Sequence, residues 1–89
     1  MKFLAMVSEC IGTFLLVTSI LFTGHWLVIG LTLAGIIYIT GNISGGHMNP
    51  AVSIAMLLKG SMSTSECLAY SFSQILGAVL ALYTFKLIT

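Results

Sequence analysis

Ser44-Gly45-Gly46-His47-Met48-Asn49-Pro50-Ala51-Val52 is the stretch that decides how this chain folds. It follows one apolar run and opens a shorter one. Two glycines, a histidine and a helix-start signal therefore fall where a membrane span would otherwise continue. In hydrocarbon, irregular backbone is tolerated only where it is buried in protein or lines a water-filled cavity. The segment is read as lining a path.

Downstream, Asn49-Pro50 restarts a helix. Asparagine is a favoured N-cap because its side-chain oxygen accepts a bond from an otherwise orphan N–H, and proline suits the first helical position because it has no N–H to lose there. A helix over 50–58 rises only ~14 Å at 1.5 Å per residue, about half of a ~30 Å hydrocarbon core. Lys59-Gly60 supplies a cation and a C-cap residue. A short polar turn over 61–64 follows, and Ser63 or Ser65 caps a last helix over 66–87 with Glu66 near its positive end. Upstream, the pattern predicts a helix over 3–22, a break at Thr23-Gly24-His25, Trp26 as an interfacial anchor, and a second helix from 27 to 40 or 43. There Gly41, Gly45 and Gly46 erode helical preference. The expected fold is an all-α membrane protein of three transmembrane helices plus one re-entrant half-helix, which starts in mid-membrane and returns to the side it came from. It needs polar partners or water at its free N-terminal N–H groups.

Composition agrees with a membrane class. The 89 residues are 58% hydrophobic and 6% charged, against about 25% charged in a soluble domain. The five charges (Lys2, Glu9, Lys59, Glu66, Lys86) leave long uncharged stretches, with no basic patch for nucleic acid and no acidic tail. A cleaved signal peptide is disfavoured, because the first apolar run exceeds a usual h-region, Glu9 interrupts it and no clear small-x-small site follows. Cys10 and Cys67 read neither as a disulfide framework nor as metal ligands, and no cofactor is expected.

Glu9 is the one acid well inside a span, where an ionisable group by default faces the protein interior or a cavity with a partner. It is read as a brace accepting N–H bonds from the broken segment around His47, the competing reading being a carboxylate that snorkels to the membrane face. His47 has no second ionisable group at a defined spacing, so a neutral, pore-side or structural imidazole is expected rather than a proton relay. Gln74 is read as joining helices by hydrogen bonding. Asn42-Ile43-Ser44 matches a glycosylation sequon by accident. The methionines and most aromatics are assigned to lipid contact and packing. Gly30 with Ala34, and Ser73 with Gly77 and Ala81, carry the four-residue spacing of close helix pairs.

The segment 44–52 with its Asn49-Pro50-Ala51 triplet resembles the first pore loop of the aquaporins, also called major intrinsic proteins. Glu9-Cys10-Ile11-Gly12-Thr13-Phe14 resembles the family's first-span Glu motif. The run 41–47 resembles the approach to the triplet, and Tyr70, Gln74, Gly77 and Ala78 resemble the third span. The likeness covers nearly the whole chain, is nearest the bacterial water-channel branch, and implies a single aquaporin-like repeat over 1–89. A complete member has two such repeats in inverted topology, with an arginine beside the second triplet. This chain carries one repeat, Val52 follows its triplet, and no arginine stands at a pore position.

On that basis Asn49, Pro50, Ala51, Gly45, Gly46, His47, Val52, Ile29 and Leu33 are the expected pore-lining residues, and Glu9 and Gln74 their structural support. Asn49 caps with its oxygen and keeps its amide N–H groups for a passing oxygen atom. The half-helix N-terminus carries roughly +0.5 of a charge and repels cations. The carbonyls of Gly45, Gly46 and His47 form a ladder of acceptors, while Ile29, Leu33 and Val52 supply an apolar wall. The expected traffic is water or a small neutral molecule such as glycerol, with nothing catalysed. The expected partners are the lipid bilayer and a second, inverted copy of the chain, within a larger assembly such as a tetramer of pores. Alternatives are the first half of a split channel with a separately encoded second repeat, a non-conducting membrane interaction protein, and a holin-like permeabiliser.

Overall fold

A computed structural model describes residues 2–89, and Met1, included in the expected repeat 1–89, lies outside the described residues. Four helices follow in order: α1 (Lys2–Thr23), α2 (Trp26–Thr40), α3 (Pro50–Lys59) and α4 (Thr64–Ile88). Each boundary has a local cause. α1 ends where Gly24 turns to φ 57° and donates to the Ile20 carbonyl at 2.9 Å. His25 then caps α2, its Nδ1 accepting from the Leu27 N–H at 3.3 Å, so that helix starts one residue before the expected 27. It stops at Thr40, and residues 41–44 form a turn in which Ile43 and Ser44 both donate to the Thr40 carbonyl.

Asn49 caps α3 with Oδ1 accepting from the Ala51 N–H at 2.8 Å, and Gly60 closes the helix in the left-handed region at φ 92°. α4 starts at Thr64 rather than 66 because Ser63 and Glu66 form a reciprocal capping box. The Glu66 N–H donates to Ser63 Oγ at 3.1 Å and the Ser63 N–H to Glu66 Oε1 at 2.8 Å. Among the described residues two helices, α1 and α4, are long and apolar enough to cross a membrane. α2 has 15 residues and α3 has 10, and at 1.5 Å per residue they rise ~22 Å and ~15 Å.

α1 and α4 pack along their length, α2 lies on α1, and α3 lies on α4, while α2 and α3 make no close backbone approach. The α1–α4 seam is set by Ser73, Gly77 and Ala81, all buried. A Cβ on Gly77 would run into the backbone of Cys10 and Phe14, so the two helices meet main chain to main chain. The Gly30–Ala34 pair on α2 is exposed, and a Cβ on Gly30 would touch nothing.

Burial is inverted relative to a water-soluble domain. The largest fully buried side chains are Gln74, Glu9 and Ser53, while Trp26, Tyr38 and Leu87 are among many large apolar groups left exposed. Burying polar groups costs free energy unless they are hydrogen-bonded to one another. In lipid, apolar side chains gain little by facing inwards. The fold therefore sorts its residues by whether they need a polar partner.

Candidate functional site

Residues 45–49 are extended and bent backbone between α2 and α3, turned by three left-handed residues: Gly45 at φ 91°, Gly46 at φ 64° and Met48 at φ 57°. Only His47 separates Gly46 from Met48. Glycine enters this region freely, but at Met48 it is uncommon and strained. Its cause is visible. The Met48 N–H donates to Glu9 Oε1 at 2.8 Å, its carbonyl accepts from Thr13 Oγ1 at 3.4 Å, and its side chain is buried against Gly12. A Cβ on Gly12 would collide with the Met48 thioether, so Gly12 is the socket for that side chain.

Glu9, fully buried on α1, is the hub. Oε1 accepts from the Met48 N–H and from Gln74 Nε2, both at 2.8 Å. Oε2 accepts from Ser44 Oγ at 2.6 Å and from the His47 N–H at 3.1 Å. Four donors fill both oxygens, a set of bonds suited to an acceptor-only carboxylate. Two consecutive backbone N–H groups thus turn towards α1. The carbonyls of Gly45, Gly46 and His47 accept no hydrogen bond among the described residues.

The loop is closed from the other side by α4 and α3. Tyr70 donates its hydroxyl to the Ser44 carbonyl at 2.7 Å, and its ring lies 4.9 Å from the His47 ring, tilted by 50°. Gln74 donates to Ser53 Oγ at 3.0 Å, and Ser53 Oγ lies 2.9 Å from His47 Nδ1. Ser44, the third residue of the sequon at Asn42, commits its hydroxyl inside the site, donating to Glu9 and accepting from the Gly46 N–H at 3.2 Å.

Asn49 and Ala51 are exposed at the start of α3, Pro50 and Val52 are half-buried, and the Asn49 amide nitrogen bonds nothing among the described residues. The N-terminus of a half-length helix, a free amide donor and a run of free carbonyls therefore lie in one continuous segment. Such a surface offers donors and acceptors to a neutral polar molecule and a positive end to repel a cation. Ile29 and Leu33 are half-buried on α2, which packs on α1 and not on α3; this chain does not by itself bring them beside the triplet.

Sequence reasoning missed Met48 and Ser53. Ser53 had a signal, being the one polar residue between Pro50 and Lys59 in an otherwise apolar helix. Met48 had none, because its unusual φ follows from contacts with α1. Cys10 and Cys67 are both free thiols.

The model of the family described as major intrinsic protein matches residues 2–89. The chain is 37% identical to aquaporin Z of Photorhabdus laumondii, over 85% of this chain and 39% of that protein. It is 40% identical to glycerol uptake facilitator protein-like 6 of Lactiplantibacillus plantarum, over 84% of this chain and 39% of that protein. It is 35% identical to nodulin-26 of Glycine max, over 93% of this chain and 36% of that protein. The chain thus spans less than half the length of these relatives. No solved structure matches it.

Proposed function

The chain belongs to the major intrinsic protein family and is an integral membrane protein, and on that premise we propose that it is one repeat of a channel for water or a small neutral solute. In this reading residues 1–89 form a single aquaporin-like unit. α1, α2 with its following turn, and α4 are its spans, and α3 is a re-entrant half-helix. Asn49, Pro50, Ala51, Val52, Gly45, Gly46 and His47 face the path, Ile29 and Leu33 complete its wall, and Glu9 and Gln74 hold the loop in place.

One observation carries the reading: a buried carboxylate takes the N–H groups of His47 and Met48, while the carbonyls of residues 45–47 stay free beside a capped half-helix. A closed loop with no path to line would need those carbonyls paired. The solute meets acceptors along the carbonyls, then the Asn49 amide and the positive end of α3, an order that suits a molecule both donating and accepting and penalises a cation.

A single repeat offers half a lining. Two half-helices meeting N-terminus to N-terminus give a full one, and a second, inverted copy is the simplest source. The charge bias that decides orientation is small, with Lys2 and Lys59 on one side and Lys86 on the other, so both orientations are open to the chain. Several such pores grouped in a ring would give the larger assembly. A second reading pairs this repeat with a separate second one.

Osmotic shrinkage of liposomes holding only the purified chain tests both. Water flux above protein-free vesicles, lost in Asn49→Asp and Gly46→Trp, supports the self-paired channel. Flux only after a second repeat is added selects the split form. Ion leakage, or no flux under either condition, overturns the channel reading.

A further inference from the structure

From the proton accounting around Ser53 we infer that this hydroxyl is a positioning residue: it locks His47 as the neutral Nε2–H tautomer, so that the imidazole stands beside Gly45 as a fixed hydrogen-bond donor. The inference rests on the channel reading for what the donor meets, but not for the tautomer itself.

The amide of Gln74 has one allowed orientation. The atom 2.8 Å from Glu9 Oε1 must be the nitrogen, because the flipped amide would set its oxygen against a carboxylate. Both protons of Nε2 are then committed, one to Glu9 and one to Ser53 Oγ. The Gln74 oxygen stays buried without a donor as a consequence. Ser53, fully buried, thus receives a bond and must place its own proton.

A helical serine can return its proton to the carbonyl four residues back. Here that carbonyl belongs to Asn49, and it already accepts from the Val52 N–H at 3.0 Å and the Ser53 N–H at 3.2 Å. The remaining acceptor is His47 Nδ1 at 2.9 Å. If Nδ1 carried a proton instead, Ser53 would accept twice and its own proton would be left unpartnered at a fully buried position, a loss on the order of a full hydrogen bond. Nδ1 is therefore the acceptor. A neutral ring has its one proton on Nε2.

Nε2 lies where it can be used. A Cβ on Gly45 would sit 3.1 Å from it, so the N–H borders the exposed glycine at the start of the free carbonyl run. The ring is held on its other face by Tyr70. No hydrogen bond occupies Nε2 among the described residues. The segment therefore presents a donor among acceptors. This suits a hydroxylic solute, which gives and takes hydrogen bonds at one oxygen, over one that only donates. A ring whose second nitrogen is closed off by Ser53 also cannot pass a proton through from one side to the other.

The test is the 15N spectrum of the histidine-labelled 89-residue chain in nanodiscs near neutral pH, with a His25→Gln variant to assign the two rings. The expected result for His47 is a directly bonded proton on Nε2 only and an acceptor-type Nδ1. Ser53→Ala lowers the tautomer preference about fivefold or more, the equivalent of one hydrogen bond, and Ser53→Thr restores it. A proton on Nδ1 in the unmodified protein overturns the inference outright, with no variant needing to fold. An unchanged preference in Ser53→Ala overturns the role given to Ser53. The Nε2–H signature in a protein that passes no water, either alone or with a second repeat added, would keep this inference and sink the channel reading, and the reverse pair of results would do the opposite.

Discussion

Replacing Glu9 by glutamine keeps the size of the side chain and removes one acceptor oxygen from a site where four donors converge. The new NH2 group must stand at one of the two oxygen positions. At Oε1 it would face two donors that cannot become acceptors, Met48 N and Gln74 Nε2. At Oε2 it would face the His47 N–H and the Ser44 hydroxyl, and the hydroxyl can turn to accept. The second placement wins and leaves the His47 N–H without a partner, at about 1–3 kcal/mol. The two bonds kept at Oε1 fall from charge-assisted to neutral strength, at roughly 1 kcal/mol each. The sum is about 3–5 kcal/mol, a large part of the 5–15 kcal/mol by which a typical domain is stable. It is concentrated on one loop. At 1.4 kcal/mol per tenfold, the His47 and Met48 amides should exchange with deuterium roughly a hundredfold to a few thousandfold faster in Glu9→Gln, measured in nanodiscs. Amides along the α1–α4 seam near Gly77 should keep their protection, because no bond to Glu9 holds that seam together except through Gln74. Exchange at His47 and Met48 within threefold of the unmodified protein would refute the view that this carboxylate holds the loop.

Two further outcomes follow from the close contacts. Gly77→Val should separate α1 from α4, since its side chain would meet backbone at Cys10 and Phe14 with no flexible atom to yield. Overpacking of this kind costs about 1–3 kcal/mol or more, read as a lower midpoint in denaturant titration in detergent. Gly12→Ala should cost a similar amount by displacing Met48, and the cost should shrink in Gly12→Ala/Met48→Ala. A double-mutant cycle should give a coupling of at least about 0.5 kcal/mol, and additive effects would show that Gly12 is not the socket for Met48.

The ends of α3 were readable from adjacent residues alone. Asn49-Pro50 and Lys59-Gly60 carry their cap and stop chemistry in place, and Ser63 with Glu66 does the same for α4. The small residues Ser73, Gly77 and Ala81 announced a close helix pair, and they form one. The same spacing at Gly30 and Ala34 announced nothing that this chain fulfils. A pattern of small residues marks a face fit for approach; it does not say what approaches.

What the sequence determined by itself is therefore the local part: three apolar helices, a broken segment after the second, and a capped short helix before the third. Capping and hydrophobic runs act between residues a few positions apart, so they can be read in order along the chain. Only the tertiary structure decided which groups answer the broken segment. Glu9 is 35 to 65 positions from its four partners, Met48 takes a left-handed φ because α1 holds its N–H, and Ser53 matters because α4 brings Gln74 to it. Those pairings depend on how closely α1 and α4 approach at Gly77, a distance set by packing in three dimensions and written in no neighbouring residue.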